Sequence, residues 1–291
     1  NKKLGPDDAY RFALGETVVA HNGMKVKLHR PLDFLVIADH GINLGVVNGL
    51  EMKDPVLLET EKGQQFYQQL QKTRMESGNE RYIAPDLRAR LFSDAVEEYK
   101  KPVWQRVTSN ADKYNEPGKF TAFIGYEWTP PIDSSDGLGV HRVLIFKDSA
   151  AKANQVLPFT TADGNDPEEL WNYMTNYEKK TSGEVLAILH NGNLSVGAMF
   201  AVTTIKGVPL NQRYAEARSR WEPLYEVTQI KGDGETHPIL SPNDEFADYE
   251  TLVNTDYSFW AHSKRTETWR RQYEYARSAL KFGLQQQVKV G

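Results

Sequence analysis

The sequence predicts an α/β fold that is built on a parallel sheet or barrel. Apolar runs of strand length alternate along the chain with longer amphipathic stretches that are typical of helices. Parallel strands that end on polar residues at one rim build the active sites of βα-barrel enzymes. Four runs carry a possible metal ligand at or beside one end, and they are DFLVIADH (Asp33 to His40), FTAFIGYE (Phe120 to Glu127), HRVLIF (His141 to Phe146) and EVLAILHN (Glu184 to Asn191).

The elements follow from local signals in order along the chain. Pro6 and two acids open the first helix, Asn22-Gly23 marks a hairpin turn, and Gly63 and Pro102 weaken two longer helices. Helices are predicted at Pro6 to Gly15, Pro55 to Met75, Pro85 to Tyr114, Asp166 to Lys180, Asn211 to Trp221 and Arg265 to Phe282. Strands are predicted at the hairpin Thr17 to Leu28 and at Phe34 to Ala38, Phe120 to Tyr126, Arg142 to Phe146, Val185 to Leu189 and Leu224 to Ile230, with a loop at Pro130 to Gly139.

Composition excludes several classes of function. The 291 residues are 40% hydrophobic and 25% charged, as in ordinary soluble proteins. The net charge of −4 argues against binding to nucleic acid, and no apolar run approaches the roughly 20 residues of a membrane-spanning helix. The chain has no cysteine, which excludes a cysteine nucleophile, a cysteine-ligated zinc site and disulfides.

The two apolar strands predicted at Phe34 to Ala38 and Phe120 to Tyr126 are each followed directly by charged residues. Asp39 and His40 follow five apolar residues, and Glu127 lies between Tyr126 and Trp128 at the end of its strand. A buried charge must be paired or bound to a metal, and burial raises the pKa of a carboxyl group unless a cation compensates. Ordinary alternatives stay open, because Asp39 can cap a helix and Glu127 can pair with an arginine.

Two histidines complete the candidate ligands. His190 ends its strand and precedes a tight turn whose amides, Asn191 and Asn193, are candidates for contacting a substrate. His141 begins its strand, so it would lie at the opposite edge unless the strand runs antiparallel or the preceding loop folds over the rim. Either histidine can instead hydrogen-bond only to protein neighbours.

The polar segment after Ile230 is a candidate anion-binding loop. Lys231 and His237 are its possible contacts to an anionic substrate, and Asp233 lies between them. Its glycines match neither a Walker nor a Rossmann pattern, so a plain surface loop stays an equal alternative.

Several longer motifs carry a family resemblance, namely PDDAYRFALGE, HNGMKVKLHRPLDFL, ADH, FIGYEW, HRVLIFKD, AILHNGNLS, RWEPLYEVTQIKGDGETHP and LSPNDEFADYE. In these motifs the chain resembles a bacterial domain family of unknown function in the PHP (polymerase and histidinol phosphatase) group of amidohydrolase-like metal enzymes. The resemblance implies one domain over residues 1–291, with a distorted (βα)7 barrel and two or three divalent ions (zinc, manganese or iron) at the C-terminal rim. It implies that His40, His141 and His190 bind metal, that Glu127 bridges two ions, and that Asp39 tunes the site.

Two parts of the PHP pattern are missing from the sequence. The chain has no His-x-His, and it has no Asp-x-His after Lys231. Similar sequences carry these motifs just before and somewhat after the matching segment. We therefore expect a fragment of a longer protein, with a barrel that is incomplete at both ends and only part of the metal shell.

The leading hypothesis is metal-dependent hydrolysis of a phosphoester or a related anionic small molecule by a metal-bound hydroxide. Asp39 would accept the proton of the attacking water, and Glu127 would hold the ions. Hydrolysis of an amide or lactone at the same site, and a non-catalytic binding or assembly protein that keeps the barrel, are the alternatives. The family resemblance and the lack of cysteine favour a periplasmic or otherwise exported protein, with the cytoplasm and the oligomeric state left open.

Overall fold

A computed structural model describes residues 4–80, 82–130, 139–251 and 268–290. Within these ranges the helices are α1 (Pro6–Ala13), α2 (Val46–Met52), α3 (Pro55–Leu58), α4 (Glu61–Ser77), α5 (Pro85–Ser93), α6 (Glu97–Tyr114), α7 (Ala150–Ala153), α8 (Pro167–Thr181), α9 (Gln212–Trp221) and α10 (Ala276–Val290). The strands are β1 (Val18–Val19), β2 (Lys25–Val26), β3 (Phe34–Val36), β4 (Thr121–Trp128), β5 (Arg142–Phe146), β6 (Val185–Leu189), β7 (Leu224–Tyr225), β8 (Thr228–Gln229) and β9 (Gly232–Asp233).

The main sheet has five strands in the order β3-β4-β5-β6-β7. Strand β3 pairs in parallel with β4, with Phe34 opposite Thr121, and β6 pairs in parallel with β7, with Ile188 opposite Leu224. The other four strands form two short antiparallel ladders, β1 with β2 and β8 with β9. The fold is therefore mixed α/β.

The predicted (βα)7 barrel is wrong for the residues that the structure describes. Of the strands in the described ranges, five join the main sheet, and the four two-residue strands β1, β2, β8 and β9 pair with each other. The regular alternation of one strand and one helix is also absent, because five helices, α2 to α6, separate β3 from β4. No helix separates β4 from β5 in the described residues, and residues 131–138 of the predicted loop lie outside them.

The contacts of the chain fall into two compact units. The first unit comprises Asn1–Trp128, Leu144–Asp163 and Thr175–Val185, and the second comprises Thr129–Val143, Gly164–Met174 and Leu186–Gly291. The expectation of one domain over residues 1–291 stays a prediction.

An aromatic cluster forms the core of the first unit. The ring of Tyr126 in β4 lies 5.8 Å from Trp104 of α6 and 6.3 Å from Phe146 of β5, and Phe146 lies 4.9 Å from Tyr177 of α8. All four side chains are almost completely buried. This packing fixes the position of β4, whose last residues include Glu127.

The core of the second unit contains a buried ion network. Arg142, at the start of β5, donates from Nε to Glu222 Oε1 at 2.9 Å, and Arg218 Nε lies 3.2 Å from the other oxygen of the same carboxylate. Trp171 Nε1 also donates to Glu222 at 2.9 Å. Burial alone would raise the pKa of Glu222, but the two guanidinium groups and these hydrogen bonds lower it below its ordinary value. The network holds Arg142, and therefore the neighbouring His141, in place.

Four predicted elements are divided or shifted in the structure. The helix expected at Pro85 to Tyr114 divides before Glu97 into α5 and α6, and Pro102 lies inside α6. The helix expected at Pro55 to Met75 breaks at Glu59–Thr60, where the Thr60 side chain accepts a hydrogen bond from Gly63 N and begins α4. The single strand expected at Leu224 to Ile230 divides into β7 and β8. The last helix begins at Ala276 after a 3₁₀ helix at Thr268–Tyr273, and residues 265–267 lie outside the described ranges.

None of the helices in the described part of the chain combines the length and the apolar character that a bilayer span requires.

Candidate functional site

In the first unit, Asp39 and His40 lie beside the end of β4. Glu127 N donates to Asp39 O at 2.8 Å, and Gly41 N donates to Glu127 O at 2.7 Å, which continues the parallel β3–β4 pairing as a bridge between His40 and Glu127. A Cβ atom at Gly41 would lie 2.8 Å from the Tyr126 ring, so this close approach requires glycine. The backbone therefore brings the three predicted residues together.

This group combines the carboxyl groups of Asp39 and Glu127 with the imidazole of His40. Glu127 is buried, with its side chain 9% exposed, and its Oε2 atom lies 3.5 Å from Nδ1 of the half-exposed His40. Asp39 is exposed as a residue. Partial desolvation of its carboxyl group raises the pKa of Asp39; the His40 ring lowers it, and the negative charge of Glu127 raises it further.

In the second unit, His190 follows the end of β6 and lies beside Glu226. Glu226 N donates to Leu189 O at 3.2 Å, which extends the β6–β7 pairing by one residue. His190 Nδ1 lies 2.6 Å from Glu226 Oε2, and Asn191 N donates to the same oxygen at 3.4 Å. Because an ionised carboxylate only accepts hydrogen bonds, the proton of this contact is on His190 Nδ1.

The second ring nitrogen of His190 faces a lysine. Nε2 lies 3.3 Å from Lys231 Nζ. An ammonium group only donates, so Nε2 is the acceptor in this contact and Nδ1 is the donor to Glu226. This is the tautomer in which a histidine binds metal through Nε2.

His141 is held by a chain of two amides. Gln229 Nε2 donates to Asn191 Oδ1 at 2.5 Å, and Asn191 Nδ2 donates to His141 Nδ1 at 2.9 Å. His190 N also donates to His141 O at 3.0 Å, and the centroids of the two imidazole rings are 6.3 Å apart. If both amides turn over, Asn191 Oδ1 accepts the proton of Nδ1 instead, and the lone pair of the His141 ring is then on Nε2.

Tyr225 braces the two loops of this cluster. A Cβ atom at Gly192 would lie 2.3 Å from Tyr225 Oη, and one at Gly234 would lie 2.5 Å from the same oxygen. Glycine at both positions lets the loop after β6 and the loop after β9 close on the tyrosine. Asn191 adopts a left-handed backbone conformation (φ 60°), which asparagine tolerates better than most residues.

The two other predicted substrate contacts have defined surroundings. Asn193 Nδ2 donates to the carbonyl oxygen of Lys231 at 3.1 Å. His237 is buried beside Tyr275, with ring centroids 5.7 Å apart, and its Nδ1 atom accepts a hydrogen bond from Ile239 N. Burial and the charge of Arg271 lower the pKa of His237, which favours the neutral ring.

The structure thus places eight of the nine predicted residues in two groups, and His237 contacts Ile239 and Tyr275 instead. Asp39, His40 and Glu127 lie together in the first unit, and His141, His190, Asn191, Asn193 and Lys231 lie together in the second. Within the described ranges, no three or more His, Asp and Glu side chains are arranged to hold one metal ion. The assignment of metal ligands stays a prediction.

Sequence reasoning missed Glu226 and Gln229, the partners of the two histidines. Glu226 carried a usable signal, because Tyr225-Glu226 ends an apolar strand just as Tyr126-Glu127 does. Gln229 carried no such signal, since its role depends on where the β8–β9 ladder lies.

One protein family matches the chain over its full length, residues 1–291, and is described as "Protein of unknown function (DUF3604)". The chain belongs to this family. No curated protein and no solved structure matches it. The family description names no activity, so the relationship to the PHP group that the motifs suggest stays a prediction.

Proposed function

We propose that this member of the family is a metal-dependent hydrolase that acts on a phosphoester or a related anionic substrate. The observation that carries the proposal is the pair formed by Glu226 and His190. A carboxylate that accepts from Nδ1, so that Nε2 is the acceptor atom of the ring, is the usual second partner of a metal-binding histidine.

The donor set of the first unit fits a divalent cation. A buried carboxylate, Glu127, lies near a second carboxyl group, Asp39, whose pKa is raised mainly by desolvation and further by the charge of Glu127. A cation between or beside like charges relieves their repulsion, and carboxylate oxygen with imidazole nitrogen suits zinc, manganese or iron. His40 and Glu127 would hold such an ion.

In the second unit, the possible donors to a divalent metal ion are the imidazole groups of two histidines. His190 presents the Nε2 lone pair to a positive charge, and His141 can present its own after the amides of Asn191 and Gln229 turn over. These two amides are positioning groups in the proposal, since they set which nitrogen of His141 carries the proton.

When bound, a divalent metal supplies a Lewis acid and activates water for attack. Asp39 is the candidate acceptor of the proton that this water loses. Lys231 is the candidate contact for the anionic part of the substrate, because a compact, flexible ammonium suits a phosphate group. The motif resemblance to the PHP group supports the same reaction class.

The proposal is tested by hydrolysis of a generic phosphoester in the presence of Mn²⁺ or Zn²⁺. We expect turnover that is abolished by a chelator, restored by the metal, and lowered at least about a hundredfold in Glu127→Gln. His29→Ala is the matched control, because it removes an exposed histidine. Turnover that persists in the chelator, or that is unchanged in Glu127→Gln, contradicts the proposal.

A further inference from the structure

We propose that the outer face of the β1–β2 hairpin is a docking surface for a second copy of this chain, and that it binds the acidic segment at residues 241–251 of that copy. This contact goes beyond the proposed function and does not depend on it. It is supported by two exposed surfaces that carry opposite charge and exposed apolar or aromatic side chains.

The hairpin presents a basic face. Residues 17–32 contain Lys25, Lys27 and Arg30 and no aspartate or glutamate. Exposed and half-buried residues alternate after the turn, which is the period of an extended chain and places Lys25 and Lys27 on the same outer side. Val19, which lies opposite Lys25 in the ladder, is 53% exposed. The outer face therefore combines positive charge with apolar surface.

Hydrogen bonds within the turn fix the shape of this face. Ala20 N donates to Met24 O at 2.8 Å, and Gly23 N donates to Ala20 O at 2.8 Å. Met24 N donates to Asn22 Oδ1 at 3.1 Å. Met24 is 58% exposed and adds apolar surface at the end of the hairpin. Because the backbone of the turn is already ordered, docking costs little conformational entropy there.

The acidic segment has the complementary composition. Residues 241–251 contain four acidic residues and no lysine or arginine. Phe246 and Tyr249 are 71% and 68% exposed, and Tyr249 N donates to Phe246 O at 3.0 Å, so the two lie on one turn. The face of an aromatic ring attracts ammonium and guanidinium groups. The segment therefore offers both carboxylates and aromatic rings to a basic face.

The second unit holds this segment in place and leaves most of its acidic residues exposed. Arg277 Nη1 donates to Asp244 Oδ2 at 2.5 Å. Ala247 is buried, and its N–H donates to Asp244 O at 3.1 Å. The three other acidic residues are exposed, namely Glu245, Asp248 and Glu250. The three cations of residues 17–32 thus have three exposed carboxylates as counterparts.

A second copy is the partner because the complementary surface is part of this chain. The contact joins two different surfaces, so it is heterologous, with the hairpin of one copy on the acidic segment of the next. Opposite charges on the two surfaces steer the copies into this orientation and disfavour contacts between like surfaces, although each chain carries a net charge of −4. Because the charges are exposed, salt weakens the contact.

Sedimentation velocity over a range of protein concentrations tests the docking. At about 0.1 M salt we expect the wild type to associate reversibly as its concentration rises. At about 1 M salt the screening length falls from about 10 Å to about 3 Å, and we expect a monomer. The variant Lys25→Glu/Lys27→Glu should weaken the association at least about tenfold, and so should Glu245→Lys/Asp248→Lys, because each reverses two charges of one surface.

A mixture of the two double variants distinguishes heterologous docking from other contacts. Each variant keeps one of the two surfaces intact, so each should stay monomeric alone, whereas the mixture should associate. A chain that carries all four reversals has complementary surfaces again and should regain the association. Lys281→Glu/Lys289→Glu, which reverses two exposed lysines of α10, is the control and should match the wild type.

A wild type that stays monomeric at every concentration overturns the proposal. Association that neither double variant weakens, or that the control weakens equally, overturns it as well. A monomeric wild type that co-sediments with vesicles of phosphatidylcholine and phosphatidylglycerol assigns the hairpin to an anionic lipid surface instead. If Lys25→Glu/Lys27→Glu fails to fold, Lys25→Gln/Lys27→Gln is measured in its place, with a smaller loss of association expected.

Discussion

At the scale of single residues, Glu226 distinguishes His190 from an ordinary histidine at a strand end. The contact of 2.6 Å to Nδ1 fixes both the tautomer and the orientation of the ring. Glu226 is itself placed by the β6–β7 ladder, since its backbone N–H donates to Leu189. Two apolar strands in parallel register therefore determine which nitrogen of His190 carries a proton.

Glu226→Gln should weaken metal binding by about 10- to 100-fold, the usual effect of removing a partner of a metal-binding histidine. The neutral amide no longer stabilises the Nδ1 proton by charge, so Nε2 becomes a poorer ligand. Chelator competition for Zn²⁺ measures the change. Glu235→Gln, which removes a partly exposed partner of Arg277, is the control; an equal loss in the control would contradict the account.

Gly192→Ala should destabilise the protein by about 1–3 kcal/mol, because the new methyl group meets Tyr225 Oη at 2.3 Å and Glu274 O at 2.9 Å. Gly283→Ala is the opposite control: this glycine lies inside α10 with open space around it, so alanine should stabilise by about 0.5–1 kcal/mol. Urea unfolding measures both. A Gly192→Ala variant as stable as the wild type would show that Tyr225 does not brace the loop.

At the scale of elements, Asp148 joins several parts of the first unit. It follows β5, accepts hydrogen bonds from Glu184 N at 2.7 Å and Tyr177 Oη at 2.9 Å, and lies 3.1 Å from Lys152 Nζ. Burial raises the pKa of its carboxyl group, but these contacts together hold it below its ordinary value. The carboxylate thus connects the end of β5 to α7, α8 and the approach to β6.

Asp148→Asn should lower the free energy of unfolding at pH 7 by about 1–3 kcal/mol, since charge-assisted hydrogen bonds are lost. Because the folded pKa of Asp148 is depressed, its contribution is present above the unfolded pKa of about 4 and is lost as pH falls through the folded pKa. The difference from the wild type should therefore shrink below pH 4. Urea unfolding at pH 7 and pH 3 measures it, with the highly exposed Asp33→Asn as control. If the difference in unfolding free energy between Asp148→Asn and the wild type grows at low pH, the depressed pKa assigned to Asp148 is contradicted.

The sequence predicted the bounds of those elements whose structure depends mainly on their own residues. The strands β4, β5 and β6 lie at or within two residues of their expected bounds, because uninterrupted apolar runs bounded by turn signals define them. Gly63 indicated a weakness in the helix expected at Pro55 to Met75, but it did not predict the break at Glu59–Thr60, where the chain turns so closely that a Cβ at Gly63 would lie 2.0 Å from the Leu57 carbonyl oxygen. The partners of His141 depend on which residues lie opposite each other on neighbouring strands. The sequence of a single segment does not determine that pairing.

At the scale of the whole molecule, each unit holds its own carboxylate–imidazole pair at the end of parallel strands. The first unit pairs Glu127 with His40, and the second pairs Glu226 with His190. The barrel expected from the family resemblance does not account for this arrangement, because the described strands form one five-stranded sheet and two two-stranded ladders. The carboxylate–imidazole pairs depend on the residues at the strand ends. They therefore do not require a complete barrel.

Metal content tests the central claim most directly. The protein, Glu127→Gln, His190→Ala and the double variant are loaded with Zn²⁺, passed through a desalting column and analysed by mass spectrometry for zinc per chain. We expect at least about one zinc per chain in the wild type, less in each single variant and none in the double variant. A wild type that retains no zinc, or a double variant that retains as much as the wild type, would contradict the account.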